Sequence, residues 1–151
     1  MNSNMMSEVE TFVTFEAAHR LYNVNTYTTA CRKSLHGHSY GVRIVASRKN
    51  MNDAGMVVDF KLLKEVVNKN IVDVYDHSCI LKADDPLAGP IKEYSENVHI
   101  VEESPTAEWM AALFFDIIEK GLQEKDPELI VTLVSVRETD KNIATVRRII
   151  G

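Results

Sequence analysis

The stretch HGHSYGVRIVAS, residues 36–47, decides the fold that the sequence predicts, because apolar side chains recur at every second position along it. Extended backbone places alternate side chains on the same face of a strand. One face of this predicted strand carries Tyr40, Val42, Ile44 and Ala46. Residues 9–15 alternate in the same way and predict a strand earlier in the chain. A polar loop over residues 20–34 connects this strand to the strand at 36–47.

Two helices are predicted in the middle of the chain, and two more strands follow them. Asp59 is a candidate N-cap for the first helix. Ser104 and Pro105 supply a cap and a first-turn proline for the second helix, and Gly121 is its predicted end. Apolar positions recur at helical spacing in both: Phe60, Leu63, Val66, Val67 and Ile71, then Trp109, Met110, Leu113, Phe114, Ile117 and Ile118. Segment 83–103 is a predicted loop with a short strand at 98–101, and strands are predicted at 129–136 and 144–150.

This order of elements predicts an α+β fold, in which a four-stranded antiparallel sheet carries both helices on one face. Residues 1–151 are predicted to form one domain, with residues 1–7 as a flexible tail. The other sheet face, with Tyr40, Val42 and Ile44 or the residues that alternate with them, would be exposed in a monomer. We therefore expect an oligomer that covers this face.

Composition narrows the classes of partner. The 151 residues carry a net charge of −5, which argues against nucleic acid and against an anionic membrane surface as partners. No apolar run approaches the ~20 residues of a membrane span. The polar N-terminus lacks the apolar region of a signal peptide, so the two cysteines are expected as free thiols in a cytoplasmic protein.

Three of the five histidines, His19, His36 and His38, lie in the first forty residues together with Cys31. Three neutral imidazoles with an open fourth position are typical of a catalytic zinc site. Zinc is favoured over iron because the motif contains no carboxylate. Structural histidines are the alternative interpretation. A cupin is disfavoured, because no glutamate follows within a few residues of His38.

Several short motifs occur in the order of a known family. They are Phe15-Glu16-Ala17-Ala18-His19-Arg20-Leu21, Cys31 with Leu35-His36-Gly37-His38-Ser39-Tyr40, Gly55-Met56-Val57-Val58-Asp59-Phe60, Tyr75-Asp76-His77, Pro105-Thr106-Ala107-Glu108 and Arg137-Glu138-Thr139. With them the chain resembles the 6-pyruvoyl-tetrahydropterin synthase family, which includes the 6-carboxytetrahydropterin synthases of queuosine biosynthesis. The resemblance covers residues 12–147.

The resemblance implies the tunnelling fold, in which subunits, here expected as a homohexamer, form a barrel with active sites between neighbours. It implies zinc held by the three histidines and 7,8-dihydroneopterin triphosphate as the substrate. It also implies the roles of the remaining site residues: Cys31 as general base, Asp76 and His77 as a proton relay, Glu138 as anchor of the pterin ring, and Thr139 and Thr106 as further substrate-binding residues.

The chemistry of these residue types agrees with those roles. Cations beside a thiol, here Arg32 and Lys33 next to Cys31, favour the thiolate. A carboxylate offers two oxygens to the parallel N–H donors of a pterin. A hydrogen bond between Asp76 and His77 is a hypothesis that coordinates can test. Arg20, Arg32, Lys33 and Lys141 are candidates for holding the triphosphate, whereas Cys79 and His99 are expected to be structural.

The spacing of the central motif leaves the product open. Four residues separate Cys31 from His36, whereas three are usual in the queuosine enzymes and five in the mammalian pyruvoyl synthases. We favour 6-carboxy-5,6,7,8-tetrahydropterin with release of acetaldehyde and triphosphate. The alternatives are 6-pyruvoyl-tetrahydropterin, formed by loss of triphosphate alone, and a non-catalytic zinc-containing pterin-binding oligomer. A branch that replaces the cysteine by glutamate is disfavoured, because no glutamate lies between Glu16 and Asn50.

Overall fold

The computed structural model describes residues 5–149, so most of the predicted tail at 1–7 and the predicted strand end at residue 150 lie outside the described residues. Six strands are present: β1 (Glu8–His19), β2 (His36–Arg48), β3 (Ser78–Lys82), β4 (Val98–Val101), β5 (Leu129–Thr139) and β6 (Asn142–Arg147). The helices are α1 (Ala30–Lys33), α2 (Phe60–Val67), α3 (Asp73–Tyr75), α4 (Ala88–Tyr94) and α5 (Ala107–Gln123), and a π-helical turn (Asn68–Val72) joins α2 to α3.

The sheet has six strands in the order β4-β3-β1-β2-β5-β6, so the prediction of a four-stranded antiparallel sheet is wrong in number. The four predicted strands are present, and neighbours among them pair antiparallel. The added strands β3 and β4 extend the β1 edge in parallel. Strand β3 was missed because four of its five residues are buried, and a short buried run shows no alternation that separates strand from helix.

The two main helices differ from prediction at their ends. Asp59 caps α2 as expected, since its carboxylate accepts the backbone N–H of Lys61 at 2.7 Å. Helix α5 begins two residues later than predicted, because Thr106 is its cap and accepts the N–H of Trp109. Gly121 lies inside α5 and does not end it. A Cβ at this position would lie 2.9 Å from a Val66 methyl, so the glycine permits close packing on α2.

The two predicted loops are only partly irregular. The loop at 20–34 contains α1, and the segment at 83–103 contains α4 as well as the expected short strand β4. Helix α4 packs on β3, where Ala88 joins Cys79 and Leu81 in a small buried cluster. None of the helices between residues 5 and 149 is long and apolar enough to cross a membrane.

Helices α2 and α5 cover the face of the sheet that carries Tyr40, Val42 and Ile44, and these three side chains are fully buried. Of the two alternatives left open by the sequence, the structure therefore selects the one in which the alternating residues, not these three, lie on the uncovered face. The uncovered face of β1, β2 and β5, here called the open face, carries the alternating residues instead. It is largely polar: Glu10 and Arg43 form an ion pair across the strands, and Phe12 is half-exposed beside them.

Candidate metal centre and active site

Three imidazoles meet on the helix-covered side of the sheet, where β1 ends and β2 begins. His19 pairs with His36 across the two strands, and Ala17 pairs with His38. Alternation around Gly37 puts His36 and His38 on one face, as the sequence predicted. The candidate ligand nitrogens of the three rings lie within 4.8 Å of one another, so they can hold a metal ion.

Backbone carbonyls fix the orientation of two of these rings. The Nδ1 atom of His19 lies 2.7 Å from the carbonyl oxygen of Pro105, and that of His36 lies 2.8 Å from the carbonyl oxygen of Ser34. A carbonyl oxygen only accepts, so both Nδ1 atoms carry the proton. The Nε2 lone pairs are then free to bind a cation, which is the usual outer-shell arrangement of a metal-binding histidine.

The surroundings keep two of the rings neutral. Burial lowers the pKa of His19 to about 4, against the opposing effect of its hydrogen bond to Pro105, and the neighbouring imidazoles lower it further. Burial also lowers the pKa of His38, although the Glu138 carboxylate opposes this shift. A metal binds the neutral imidazole, so these rings are ready ligands near neutral pH.

Two buried polar atoms at this centre have no hydrogen-bond partner between residues 5 and 149: Nε2 of His38 and the hydroxyl of Tyr40. The Tyr40 ring lies beneath the triad, with its centroid 6.0 Å from that of His19 and 5.4 Å from that of His38. Buried polar groups in native proteins are normally paired. An unpaired imidazole nitrogen facing two others fits a cation bound between them.

Glu138 approaches the triad from β5. The pairing register shifts between Arg137 and Thr139, so Glu138 is the extra residue of a β-bulge within β5. Bulges redirect side chains. Here Oε1 lies 3.5 Å from Nε2 of His19 and 3.6 Å from Nε2 of His38, beyond normal hydrogen-bond range. The local motif contains no carboxylate, but the fold brings one to the imidazoles.

A cavity of about 180 Å³ lies between Glu138 and the start of α5. Thr106 and Glu108 line it, together with Leu21 and Ile143. Two of the predicted substrate-binding residues therefore share a cavity, whereas Thr139 is exposed and does not line it. Glu108 received no role from the sequence, although it lies two residues after Thr106 on the first turn of the helix.

Cys31 is half-buried on α1. Its backbone carbonyl accepts the N–H of Leu21, two residues beyond His19, and α1 ends three residues before His36. The thiol is not one of the clustered metal-ligand atoms. The assignment of Cys31 as the general base stays a prediction.

The predicted contact between Asp76 and His77 is confirmed, with Oδ2 and Nδ1 2.9 Å apart. A hydrogen bond from the backbone N–H of Glu16 and a second from His77 hold the pKa of Asp76 below its usual value. The His77 ring is exposed and lines an open cavity of about 310 Å³ with Glu16 and Ser39. Those two residues alternate with Ala17 and His38, so the dyad lies on the open face.

The structure therefore does not bring the dyad to the histidine triad within one chain. The triad lies on the helix-covered face, and His77 lies on the opposite side of the same strands. The order of the motifs in the sequence gave no signal of this separation. The face of the sheet on which His77 lies depends on the backbone conformation of the turn before β3.

The candidate phosphate-binding cations differ in their partners. Arg20 makes a two-pronged ion pair with Asp85, whose side chain is fully buried, so its charge is already balanced. Burial of Asp85 raises its pKa, but the Arg20 guanidinium outweighs this and holds it below the usual value. Lys33 and Lys141 are exposed. Arg32 is half-buried, and its Nε has no partner between residues 5 and 149.

Cys79 and His99 have surroundings that agree with structural roles. Burial raises the pKa of the Cys79 thiol, and the nearby Asp85 carboxylate adds to the effect. The Nε2 atom of His99 lies 3.0 Å from the carbonyl oxygen of Val74, and its ring lies against Tyr75 at 4.6 Å between centroids.

The fold and the site together define a mixed α/β chain with a three-histidine centre at one end of its sheet. Residues 8–149 match the family model described as 6-pyruvoyl tetrahydropterin synthase. The chain belongs to the 6-pyruvoyl tetrahydropterin synthase family, which confirms the resemblance found in the sequence.

Individual proteins support this membership. The chain is 31% identical to a 6-carboxy-5,6,7,8-tetrahydropterin synthase of Aquifex aeolicus, over 80% of this chain and 83% of that protein. It is 30% identical to a 6-pyruvoyl tetrahydrobiopterin synthase of Drosophila melanogaster, over 89% of this chain and 75% of that protein. A solved structure of an uncharacterized Wolinella succinogenes protein shares the fold, with a TM-score of 0.81 at 23% identity, over 95% of this chain and 99% of that one.

Proposed function

We propose that this chain is a zinc-dependent lyase that converts 7,8-dihydroneopterin triphosphate and one water to 6-carboxy-5,6,7,8-tetrahydropterin, releasing acetaldehyde and triphosphate in the cytoplasm. The observation that carries the proposal is the convergence of His19, His36 and His38, whose ligand nitrogens lie within 4.8 Å of one another and include one buried nitrogen without a partner between residues 5 and 149. The name of the Aquifex relative supports the carboxy product. Zinc bound by the triad would acidify the substrate hydroxyls and the neighbouring carbon.

The protein residues divide the proton movements between them. Cys31 accepts the proton from the carbon beside the hydroxyl, as a thiolate beside Arg32 and Lys33. His77 takes up at Nε2 the proton that the Cys31 thiol releases and passes it to the pterin, while its Nδ1–H donates to the Asp76 carboxylate. Both steps need the substrate between the thiol and the imidazole.

A second copy of the chain completes the site in this proposal. The triad nitrogens converge on the helix-covered face, whereas His77 lies beside Glu16 and Ser39 of the open face, so the proposal sets the dyad of one chain against the triad of another. A neighbouring copy that presents its open face to the triad would supply Asp76 and His77. We propose a homohexamer, in line with the family's barrel.

The pterin ring is proposed to occupy the cavity between Glu138 and α5, with Thr106 lining it. Thr139, the residue after Glu138, is proposed as a further substrate-binding residue from outside this lining. Glu138 also faces the imidazoles, so one of its oxygens is directed to the metal centre. Glu108 offers a second carboxylate in the same cavity. Comparing Glu138→Gln with Glu108→Gln would separate a carboxylate that holds the ring, whose loss raises KM, from one that acts at the centre, whose loss lowers kcat.

Product analysis tests the proposal. Zinc-loaded protein is incubated with 7,8-dihydroneopterin triphosphate, and the pterin products and acetaldehyde are measured by mass spectrometry. A carboxy-tetrahydropterin with equimolar acetaldehyde is the expected result. A pyruvoyl product without acetaldehyde would assign the reaction named for the Drosophila relative. No turnover would favour a non-catalytic pterin-binding oligomer.

Cys31→Ala is the companion variant. We expect turnover to be lost while zinc stays bound, because the thiol is not among the clustered ligand atoms. Cys79→Ala is the matched control, since this thiol is buried in a small cluster with Leu81 and Ala88. Full turnover by Cys31→Ala would remove the thiol from the mechanism.

A further inference from the structure

The side chain of Asn97 bridges two backbone carbonyls at the end of α3. Its amide nitrogen lies 3.2 Å from the carbonyl oxygen of Val74 and 3.1 Å from that of Asp76. The amide donates both bonds. The backbone of Asn97 is itself fixed to the sheet, because its carbonyl accepts the N–H of Cys79 at 3.0 Å. Asn97 therefore ties the end of a helix to the edge of the sheet.

The segment that Asn97 holds needs an external partner. The last carbonyls of a helix have no partner within it, and Asp76 leaves α3 with an extended conformation. His77 then adopts φ of +57°, in the left-handed region that side chains other than glycine rarely occupy. Such a conformation persists only where its surroundings hold it.

Two sets of bonds hold the segment from opposite sides. On the β1 side, the backbone N–H of Glu16 donates to Oδ1 of Asp76 at 2.8 Å, and the N–H of His77 donates to the carbonyl of Glu16 at 2.7 Å. On the β4 side, Asn97 holds the carbonyl of Asp76. The carboxylate and the carbonyl of Asp76 are thus fixed independently, which leaves Oδ2 aimed at Nδ1 of His77.

We propose that Asn97 is a positioning residue, which sets the geometry of the Asp76–His77 dyad and the tautomer of His77. This inference rests on the role of the dyad proposed above. Asn97 acts through the backbone of Asp76 and does not contact the substrate. Its amide fixes the peptide that joins the two members of the dyad. Loss of this amide lets the peptide rotate and moves the His77 ring away from the Asp76 carboxylate, which the N–H of Glu16 still holds.

The competing interpretation is that Asn97 only caps a helix. His99 provides the comparison, because it also bonds the carbonyl of Val74 but has no bond to Asp76. His99→Phe removes that cap bond and keeps an aromatic ring against Tyr75. Asn97→Asp keeps the shape of the side chain and replaces the two donors by an acceptor that repels both carbonyls.

The test combines nitrogen-15 NMR of the His77 ring with steady-state kinetics on the zinc-loaded protein. In the wild type and in His99→Phe we expect the neutral ring to carry its proton on Nδ1. In Asn97→Asp we expect a mixture of tautomers, with kcat lowered about tenfold to hundredfold while KM and zinc content stay unchanged. If Asn97→Asp does not fold, Asn97→Ser removes the amide without adding charge, and the same shift is expected.

An unchanged tautomer and kcat in the Asn97 variant, with only a lower melting temperature, would reduce Asn97 to a helix cap and overturn the proposal. The same loss in His99→Phe would assign the effect to the helix end as a whole, and it too would overturn the proposal. The NMR signal needs no turnover. Should the chain lack lyase activity, the ring tautomer still decides whether Asn97 positions the dyad, and the failure of the proposed reaction would be recorded separately.

Discussion

At the scale of single residues, the convergence of three imidazoles is the property on which the site depends. Burial lowers the pKa of His19, and carbonyl acceptors at Nδ1 of His19 and His36 leave the Nε2 atoms of both rings directed to the shared centre. His38 completes the set with a nitrogen that has no partner between residues 5 and 149.

His36→Ala tests this directly. We expect bound zinc to fall to less than a tenth of the wild-type ratio at equal free metal, because loss of one ligand leaves two nitrogens. Metal content is measured after dialysis against buffered zinc. His99→Ala is the control, since that ring lies against Tyr75 and away from the triad. Equal zinc in wild type and His36→Ala would exclude the triad as the metal centre.

The lowered pKa of His19 predicts a pH dependence for the metal-free protein. The unfolded chain binds a proton at His19 near pH 6.5, whereas the folded chain does so only near pH 4. Between these values the unfolded state binds more protons, so the free energy of unfolding falls as the pH falls. Urea denaturation at a series of pH values should show this slope, and His19→Asn should flatten it. An equal pH dependence of the free energy of unfolding in wild type and His19→Asn would mean that a group other than His19 takes up the proton.

At the scale of elements, contacts between helices explain departures from local expectation. Gly121 is inside α5 because α2 and the π-helical turn pass so close that a Cβ would meet Val66 and Asn70. Thr106 takes over the cap of α5 from Ser104. The bulge at Glu138 is likewise a property of the β5–β6 pair, and it directs a carboxylate into the site.

Gly121→Ala is expected to destabilise the fold by about 1–3 kcal/mol, because the added methyl overpacks the contact with Val66. Gly89→Ala is the matched control in α4, where nothing lies within 4 Å of the added Cβ. That substitution should be neutral or should stabilise by up to about 1 kcal/mol, through helix propensity alone. Urea midpoints at constant m-value measure both. A Gly121→Ala variant with the free energy of unfolding of the wild type would mean that α2 and α5 can move apart at little cost in stability.

At the scale of the whole molecule, the separation of triad and dyad on two faces of one sheet is the fact that most constrains the mechanism. The helices bury the core residues beside the triad, and they leave the open face with its ion pair between Glu10 and Arg43 available to a neighbour. The sheet lies between the imidazoles of the triad and the ring of His77, so we expect a complete active site to combine the triad of one chain with the dyad of another.

Mixing two inactive variants tests the shared site. His36→Ala removes the triad of its own chain, and His77→Ala removes the dyad of its own chain. When the two are refolded together, some interfaces join an intact triad to an intact dyad, so activity should reappear. Size-exclusion chromatography follows subunit exchange in the same samples. A mixture that exchanges subunits and stays as inactive as either variant alone would contradict the shared site.

The sequence by itself determined the features that depend on local periodicity and on motif order. Alternation predicted the four antiparallel strands, and the spacing around Gly37 placed His36 and His38 on one face. The Asp59 cap and the contact within Asp76–His77 also follow from neighbouring residues. The family was recognisable because its motifs occur in order along the chain.

Tertiary structure alone decided the features that join distant segments. Strand β3 is short and lacks a clear period, so only its pairing with β1 reveals it. The approach of Glu138 to His19 depends on a bulge that is 119 residues further along the chain. The face on which His77 lies depends on a left-handed turn held by Glu16 and Asn97. In each case the deciding contact is between residues far apart in sequence, and local patterns carry no information about it.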